Sequence, residues 1–399
     1  MTGRPTILLV GAGHAHLHVA ARAAEFVRRG ARLLLLDPGH FWYSGMATGV
    51  LGGRYPSSAD RLDPAALVRA AGGDFLAGRV VGVDAERQVA HLADGGALGY
   101  DRLSLNVGSE VAALPAGAAG DPDVWPVKPV ANLRALHRAV RDRLADGTAR
   151  LEVVVAGGGA SGCEVAANLA ALGRSCAGSL RVSLCARGDR LLPAAPAPAA
   201  RRLASHLARL GVAVLTGAEV AAKDGGTLRL ADGRRLRADL LAVATGLRAA
   251  PLTRATGLPW DERGGLRVTA ALHSEADARV FAAGDCAHFL PRPLPKLGVY
   301  GVRAAPVLHR NLLASLDGRA LRAYRPQTRH LAILNLGDGT GLATWSRLWW
   351  HGRAAMRLKD RIDRKFMAGY RAIYSGRVAG SRLFDEPQRR TEAHRDRKA

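Results

Sequence analysis

Glycines occur at two places in this chain with the spacing of loops that bind phosphate groups. They are Gly11 and Gly13 in the first loop, and Gly157, Gly159 and Gly162 in the second. Each loop follows an apolar segment of strand length and precedes a predicted helix, so helix N-terminal amides would point at a pyrophosphate. Two such loops in one chain predict two bound dinucleotides, with a hydride passing from one to the other.

The first loop is followed by an acid where an adenosine ribose would lie. Asp37 ends the apolar segment 33–36, beyond a helix predicted over 17–29, and its carboxylate can accept the ribose hydroxyls. His16 stands where glycine or alanine usually permits close packing of helix and strand. Either the helix lies farther from the strand, or the imidazole fills a local gap.

The second loop has complete three-glycine spacing and is followed by Glu164. Two interpretations of Glu164 stay open: an acid on the first helical turn that stabilises the N-terminus, or a carboxylate beside a nicotinamide ring. The next predicted strand, 180–185, ends in Ala186-Arg187 without an acid. This arginine favours a 2′-phosphate, and therefore NADPH over NADH, unless Arg187 is simply solvated.

The histidines and cysteines predict neither a metal site nor a dithiol relay. His14, His16 and His18 alternate along a helix start, so they do not converge on one helical face. The chain has four cysteines, and none forms a Cys-x-x-Cys pair. They are Cys163, Cys176, Cys185 and Cys286. We expect most of them to be buried as small hydrophobic residues.

Three later segments complete a resemblance to flavoproteins that bind two dinucleotides. The segments are 103–109 (LSLNVGS), 240–246 (LLAVATG) and 280–285 (VFAAGD). In this order they resemble the pyridine nucleotide–disulfide oxidoreductases and their quinone-reducing relatives, over about residues 5 to 325. The resemblance implies FAD and NAD(P)H as cofactors. It also implies an α/β fold with two Rossmann-like dinucleotide-binding domains and a small C-terminal α+β region.

The absence of a cysteine pair indicates the branch of this family. Disulfide reductases carry a redox pair shortly after the first loop, but the stretch that includes 41–46 (FWYSGM) has no cysteine. The chain resembles the type II NADH:quinone oxidoreductases and, more narrowly, the flavoprotein module fused to selenophosphate synthase in some bacteria. The segments that carry the narrower resemblance are 13–16, 43–46, 298–303 and 358–367. We therefore predict an enzyme that passes electrons from NAD(P)H through FAD to a quinone-type acceptor. Ferredoxin, sulfide, and sulfur or selenium compounds remain alternative acceptors.

The resemblance also implies roles for single residues. The implied cofactor-binding residues are Gly11, Gly13, His14, Ala15, Asp37, Val80, Asn106, Gly108, Gly157, Gly159, Gly162, Arg187, Gly246, Gly284, Asp285, Gly298 and Val299. Asp285 would bind the ribityl chain, and Val80 would contact adenine through its backbone. The helix that begins near Gly298 would stabilise negative charge on reduced flavin. The catalytic candidates are Glu164, Lys128 and Lys296.

The order of the segments predicts the domain organisation. An FAD-binding domain would have two segments, 1–125 and 250–325, on either side of an NAD(P)-binding domain at 126–249. A C-terminal region would occupy 326–399. Residues 114–129 are rich in proline and glycine and are predicted to form a linker that crosses between the domains.

The C-terminal region is predicted to contain a hairpin and an amphipathic helix. Its apolar residues recur at spacings near three and four, with arginines among them. They are Trp345, Leu348, Trp349, Met356, Leu358, Ile362, Phe366, Tyr370 and Ile373. Such a helix can lie in an anionic membrane interface, where an apolar quinone dissolves. Alternatively it packs on the FAD-binding domain or on a second subunit of a homodimer. The tail from Gln388 is expected to be disordered.

Composition agrees with a large enzyme. The 399 residues can form several domains, and the formal net charge is +23. Basic residues are spread along the chain without a nucleic-acid motif, so we expect no nucleic-acid partner. No apolar run has the length of a bilayer span, and no signal-peptide pattern precedes the first predicted strand. We expect a cytoplasmic protein, peripheral on the membrane if its C-terminal helix binds lipid.

Overall fold

The structure is a computed structural model that describes residues 3–146, 150–176 and 179–375. In these ranges the chain forms two parallel sheets with helices packed against them, and a small C-terminal module. The predicted tail from Gln388 lies outside the described residues.

The first part of the chain supplies most of the first parallel sheet. Its strands are β1 (Thr6–Val10), β2 (Arg32–Asp37), β3 (Phe41–Trp42), β4 (Arg61–Leu62), β5 (Asp74–Ala77), β6 (Val80–Asp84), β7 (Val89–Leu92), β8 (Ala97–Gly99), β9 (Arg102–Leu105) and β10 (Ser109–Val111). Its helices are α1 (His14–Ala20), α2 (Ala23–Val27), α3 (Ser44–Leu51) and α4 (Pro64–Ala70). The helix predicted over 17–29 is thus two short helices. The start of α4 is encoded locally, because Asp63 accepts from the Ala66 amide and Pro64 follows it.

The middle of the chain forms the second parallel sheet and an antiparallel ribbon. Its strands are β11 (Val124–Pro126), β12 (Arg150–Ala156), β13 (Ser179–Cys185), β14 (Val212–Leu215), β15 (Val220–Asp224), β16 (Thr227–Leu230), β17 (Arg235–Arg237) and β18 (Leu240–Val243). Its helices are α5 (Asn132–Ala145), α6 (Ala160–Ser175) and α7 (Ala197–Arg209).

The next part of the chain contributes one strand to the first sheet and precedes the C-terminal module. Its strands are β19 (Leu247–Ala249), β20 (Leu266–Val268), β21 (Val280–Ala282) and β22 (Ala287–Phe289), of which β21 joins the first sheet, and α8 (Gly298–Leu316) follows them. The C-terminal module consists of β23 (Leu331–Asn335), β24 (Gly341–Trp345), β25 (Leu348–Gly352) and α9 (Arg353–Tyr374). The predicted helix start near Gly298 and the predicted hairpin are confirmed.

The first sheet has the strand order β21-β9-β1-β2-β5. Residues 7–10 and 33–36 are all buried, as expected for central parallel strands that are covered on both faces. The carboxyl ends of β1, β2, β9 and β21 meet at one edge of the sheet. The first glycine loop, Asp37, Asn106 and Ala283 follow these strand ends and are thereby brought together.

The second sheet has the order β11-β18-β12-β13-β14. It contains β11, so the predicted linker 114–129 also contributes structure: three of its residues pair with β18 as an edge strand. The strands β10 and β19, which precede and follow the second sheet in the sequence, pair antiparallel with each other. The predicted α/β class with two Rossmann-like domains is confirmed, whereas the exact domain boundaries stay predictions.

The C-terminal module differs from its prediction at one point. Residues 345–352 belong to the three-stranded sheet β23-β24-β25, and the helix begins only at Arg353. The helix was predicted to begin too early because apolar residues continue from the strand β25 into the helix α9. Their spacing therefore does not mark where the strand ends and the helix begins. Gly352, with a φ of +133°, makes the turn between them. Among the described helices, none combines the length and apolarity that a bilayer crossing requires.

Candidate functional site

The first glycine loop joins β1 to α1 and is held by Asn106 at the end of β9. Gly11 has a φ of +85°, and a Cβ there would lie 2.8 Å from the Asn106 carbonyl oxygen. The Asn106 Oδ1 accepts from the amides of Ala15 at 2.9 Å and His16 at 3.2 Å. Its Nδ2 donates to the Ala283 carbonyl at 2.5 Å. Asn106 therefore fixes the shape of the loop from a distant part of the sequence.

His16 fills the gap between helix and strand, which decides between the two interpretations of this position. Its Nδ1 lies 2.6 Å from the Gly11 carbonyl oxygen and its Nε2 lies 2.8 Å from Ser104 Oγ. A carbonyl can only accept, so Nδ1 carries the hydrogen and Nε2 accepts from the serine. Burial lowers the pKa of His16 to about 4, which keeps the ring neutral.

Asp37 lies at the end of β2 and is bound to the first loop. Its carboxylate accepts from the amides of Ala12 at 2.7 Å and Gly39 at 2.8 Å, one on each oxygen. Burial raises the pKa of Asp37, and these two hydrogen bonds oppose the rise. Val80 follows two residues after Gly78, whose amide donates to the Asp37 carbonyl at 3.2 Å. Asp37 and Val80 thus lie close together, as an adenosine site would require.

Asp285 brings both candidate lysines together. Ser109 Oγ donates to its Oδ2 at 2.7 Å, and Lys128 Nζ lies 3.8 Å from the same oxygen. Lys296 Nζ donates to the Asp285 backbone carbonyl at 2.5 Å. These residues come from four separate parts of the chain, and they form one polar cluster beside the first loop.

The N-terminus of α8 lies against His14. The helix begins with Gly298 and Val299, and no side chain caps it. A Cβ on Gly298 would lie 3.5 Å from His14 Cε1, and the His14 ring centroid is 5.8 Å from that of Phe366. Burial lowers the pKa of His14 to about 4. The imidazole is therefore a neutral wall of the site, in contact with the C-terminal helix.

The second glycine loop joins β12 to α6. Gly162 packs so closely on the Gly157 carbonyl that no side chain would fit between helix and strand. Gly159 is the N-cap of α6, without a side-chain cap, and faces open space. Arg187, beyond the end of β13, is 81% exposed on its side chain and lies 3.9 Å from Glu219. Its role in nucleotide choice stays a prediction.

Glu164 does not lie on the first turn of its helix. Because α6 begins at Ala160, Glu164 lies on the second turn, and the first turn carries no acid. The interpretation of Glu164 as an N-terminal stabiliser was therefore wrong. Its Oε1 accepts from the Asn335 amide at 2.7 Å and from Thr48 Oγ1 at 3.5 Å. Burial raises its pKa, and the positive charge of Lys359 opposes the rise.

A buried ion pair on α9 faces the same region. Lys359 Nζ lies 3.0 Å from Asp363 Oδ2 and donates to the Gly45 carbonyl at 2.7 Å. The Tyr43 hydroxyl donates to Asp363 Oδ1 at 2.9 Å. Burial raises the pKa of Tyr43, and the Asp363 carboxylate adds to the rise. The Tyr43 ring is stacked on Phe366 with centroids 4.4 Å apart.

Four residues of this region were not predicted as site residues: Thr48, Asn335, Lys359 and Asp363. One signal was available: Lys359 and Asp363 are four residues apart and lie among the apolar residues of a predicted helix, where charges need partners. The other two residues are ordinary polar residues in sequence. Only the folded chain shows that they contact Glu164.

The remaining predicted glycines lie near the crossing between the two sheets or against Asn106. The Gly108 carbonyl accepts from the Ala250 amide, and the Gly246 carbonyl accepts from the Ala112 amide, both at 3.2 Å. A Cβ on Gly284 would lie 2.8 Å from Asn106 Nδ2. Space at Gly284 is therefore as restricted as at Gly11.

The cysteines are free thiols away from each other. Cys163, Cys185 and Cys286 are buried and Cys176 is partly exposed, so the prediction that most are buried is confirmed. Burial raises the pKa of Cys163 to about 12. Among the described residues, no group of three or more His, Cys, Asp or Glu side chains could hold a metal.

The two loops fit two dinucleotides. The N-caps of α1 and α6 are Gly13 and Gly159, and neither residue has a side chain that caps its helix. In α1 the amides of Ala15 and His16 already donate to Asn106 Oδ1, so a phosphate would approach the loop backbone before them, whereas in α6 it would approach the first-turn amides themselves. The donors and acceptors at Asp37, Asp285 and the α8 N-terminus are those a flavin dinucleotide needs. The residues present thus fit FAD on the first loop and NAD(P)H on the second.

Comparisons with known proteins agree with this geometry. Residues 5–305 match the family described as pyridine nucleotide-disulphide oxidoreductase. The chain is 31% identical over 299 residues to the ferredoxin–NAD(+) reductase component of the biphenyl dioxygenase system of Paraburkholderia xenovorans, covering 71% of this chain and 67% of that protein.

The chain is also similar to a second relative and to one solved structure. The type II NADH:quinone oxidoreductase of Haemophilus influenzae is 26% identical over 208 residues, covering 49% of this chain and 47% of that protein. The match thus spans about half the length of that relative. The structure of NDH2 from Plasmodium falciparum in complex with NADH has a TM-score of 0.79 at 14% identity, covering 96% of this chain and 99% of that chain. This likeness shows a shared fold.

Proposed function

Because the chain belongs to the pyridine nucleotide-disulphide oxidoreductase family, with FAD and NAD(P)H as its cofactors, we propose that it passes electrons from NAD(P)H to a quinone-type acceptor without a redox disulfide. The observation that carries this proposal is the buried network of Glu164, Lys359, Asp363 and Tyr43.

The proposed cofactor sites follow from the two loops. The loop at Gly13, the carboxylates of Asp37 and Asp285, and the free amides at Gly298 would hold FAD. The loop at Gly159 would hold NAD(P)H. When bound, FAD supplies two-electron chemistry, accepting hydride from NAD(P)H and returning electrons to the acceptor. The α8 N-terminus, with Lys128 and Lys296 nearby, would stabilise negative charge that develops there.

The buried network favours an acceptor that takes up protons. A quinone becomes a quinol by gaining two electrons and two protons, whereas a ferredoxin gains an electron alone. Lys359 carries an ammonium group that can give a proton from Nζ and that Asp363 holds in place. Glu164 has a raised pKa, so it stays protonated at higher pH than an exposed carboxyl and can also act as a donor. We propose that these two residues protonate the reduced acceptor.

The exposed apolar residues of the C-terminal module favour an apolar acceptor. They are Leu331, Trp345, Leu348, Trp350, Leu358 and Ile362, which we term the C-terminal apolar residues. Leu348 is 62% exposed and is paired with Trp345 in the sheet. Arg353, Arg357 and Arg361 are exposed on the adjoining helix. We propose that this module lies on an anionic membrane surface, from which the quinone reaches the site.

A ferredoxin-type acceptor is the second candidate. The net charge of +23 would attract an acidic protein partner, and the relative from Paraburkholderia xenovorans is described as a ferredoxin reductase. This alternative assigns no role to the buried proton donors, and for that reason we favour the quinone.

A comparison of acceptors tests the proposal. The FAD-loaded protein is given NADH or NADPH, with decylubiquinone, a [2Fe–2S] ferredoxin or ferricyanide as the acceptor. We expect the kcat/KM for decylubiquinone to exceed that for ferredoxin at least about tenfold, a barrier difference of about 1.4 kcal/mol. A preference of similar size for ferredoxin would overturn the quinone assignment.

A further inference from the structure

A pocket of about 620 Å³ opens between α2 and the second half of α8. One wall is formed by α2 and the end of α1, and the other by α8 and the segment 319–322. From Gly298 to Arg310, the α8 axis extends about 18 Å at 1.5 Å per residue. The volume lies within the range of small-ligand pockets. Nothing in the proposed electron transfer uses this pocket.

The pocket is lined by five arginines and one acid. The arginines are Arg22, Arg29, Arg310, Arg319 and Arg322, and the acid is Glu25. Asp317 lies outside the lining and pairs with Arg29 and Arg319. In the described part of the chain, no carboxylate lies within ion-pair distance of Arg310 or Arg322. The balance of charge is strongly positive, and a concave wall concentrates the resulting field.

Buried polar side chains form part of the same lining. His18, Arg22 and His309 are each less than one-tenth exposed. Arg22 Nη1 lies 3.3 Å from His18 Nδ1, and the His18 and His309 ring centroids are 5.9 Å apart. Burial, together with the positive charges of Arg22 and Arg310, lowers the pKa of His309 to about 3. Arg22 Nη1 also donates to the His18 carbonyl at 3.3 Å, so this wall of the pocket places a guanidinium beside two imidazoles whose pKa values burial lowers.

We propose that this pocket binds a small phosphorylated compound of about nucleotide size, separate from FAD and NAD(P)H. Guanidinium groups match phosphate oxygens in charge and in geometry, so Arg310 and Arg322 would hold the phosphates. Pro306, Leu313 and Ala314 give the pocket an apolar side for the rest of the molecule. Inorganic phosphate alone would occupy only a fraction of the volume.

Binding in this pocket would reach the cofactor site through two helices. The helix α1 begins at the first glycine loop, and α8 begins at Gly298 beside His14. A ligand that bridges Arg22 to Arg310 would connect the segment just beyond the end of α1 with the second half of α8. The proposal does not depend on the identity of the electron acceptor, because the pocket lies outside that site.

Calorimetry on the FAD-loaded full chain tests this proposal. Pyrophosphate and ADP are titrated at constant ionic strength with saturating NAD⁺ and NADP⁺, so that the second glycine loop is filled. We expect ADP to bind more tightly than pyrophosphate. The double variant R310Q/R322Q should bind both at least about tenfold more weakly. Glu25→Gln, which removes the acid from the lining, should strengthen binding.

Control variants distinguish binding in this pocket from nonspecific binding to basic residues and from misfolding. Arg138→Gln changes an exposed arginine on α5 and should leave both affinities unchanged. The double variant R310K/R322K keeps the charge and should retain part of the binding. The FAD content and NADH-dependent flavin reduction of R310Q/R322Q should equal those of the wild type. Equal affinities for the wild type and R310Q/R322Q, or an equal loss in R138Q, would overturn the proposal.

Discussion

Glu164, Lys359 and Asp363 are ionisable groups held together inside the molecule, and each lies on a helix that also contacts other parts of the site. Burying an ion pair seldom adds stability, because desolvation offsets much of the attraction. The pair of Lys359 and Asp363 is therefore weak evidence for stability, and it fits the proton-transfer role that we propose. His14 and His16 differ from this ion pair, because burial lowers the pKa of each ring and so keeps it neutral.

His16 should make stability depend on pH. Its folded pKa of about 4 lies below the ordinary value of 6.5, so the unfolded chain binds the proton first. The contribution of neutral His16 to the free energy of unfolding is fully present above pH 6.5 and is lost as pH falls towards 4. His16→Ala should cost about 1–3 kcal/mol at pH 7, because the Gly11 carbonyl and Ser104 lose their partner.

Urea unfolding of the FAD-loaded protein at pH 7, 5.5 and 4 measures this effect. The stability gap between wild type and His16→Ala should narrow as pH falls. The exposed His91→Ala is the control and should show a small, nearly constant gap. A gap for His16→Ala that stays constant with pH would contradict the assignment of a neutral ring.

Arg187 should influence the choice of nucleotide. Its exposed guanidinium lies beyond the end of β13, where an acid would otherwise bind the 2′-hydroxyl. We expect NADPH to reduce the flavin at least as fast as NADH. Arg187→Glu should shift the ratio towards NADH by about tenfold, or about 1.4 kcal/mol. Stopped-flow reduction measures both rates, with Arg181→Glu on the same strand as the control. A strong NADH preference in the wild type would refute this prediction.

At the scale of elements, the helix starts of α6 and α8 present uncapped amides, Asn106 binds the amides at the start of α1, and the helix α9 supplies side chains. The helix α9 is anchored through Asp360, which pairs with Arg54 at 2.7 Å and also accepts from the Tyr55 hydroxyl. These contacts place Lys359 over α3. The C-terminal module is thus a structural part of the site.

The features that could be predicted are those that depend on residues close together in the sequence. The glycine loops, the start of α8 and the burial of the cysteines follow from short runs of residues. The site network could not be predicted in the same way, because Glu164 and its partner Asn335 are 171 residues apart. The start of α9 was missed because the apolar spacing from Trp345 onward fits both a strand and a helix over a few residues.

The C-terminal apolar residues should determine membrane contact. The double variant L358S/I362S changes exposed side chains of α9, so folding and FAD content should be kept. Co-sedimentation with anionic liposomes should fall, and salt should weaken wild-type binding because each nearby arginine contributes roughly 1 kcal/mol. Trp260→Ser changes a similarly exposed apolar residue elsewhere and should have no effect. If L358S/I362S retains full liposome binding, the membrane proposal should be abandoned.

At the scale of the whole molecule, Glu164 is where three parts of the chain meet. It lies on α6 beside the second glycine loop, its carboxylate accepts from Asn335 of the C-terminal module, and Thr48 of α3 contacts it from the first half of the chain. The helix that begins at the second glycine loop is therefore tied through Glu164 to the C-terminal module and to α3.

Asp285→Ala should lower FAD occupancy. The change removes the acceptor for Ser109 and the partner of Lys128, at the place where the ribityl chain would bind. The flavin released on denaturation, measured by absorbance per mole of protein, should fall well below the wild-type value. Asp224→Ala changes an exposed acid on β15 and should keep full occupancy. Wild-type protein that releases no flavin would refute the FAD assignment itself.

The most direct test of electron and proton transfer to a quinone is a single-turnover measurement. The FAD-loaded protein is reduced anaerobically with NADPH and mixed with decylubiquinone or with ferricyanide, which takes up no proton. Lys359→Met and Glu164→Gln should each slow reoxidation by decylubiquinone by about 10²-fold, the size of a lost acid–base group, and leave reoxidation by ferricyanide unchanged. The exposed Lys365→Met on the same helix should change neither rate. Equal slowing with both acceptors, or no slowing with decylubiquinone, would contradict the proposed function.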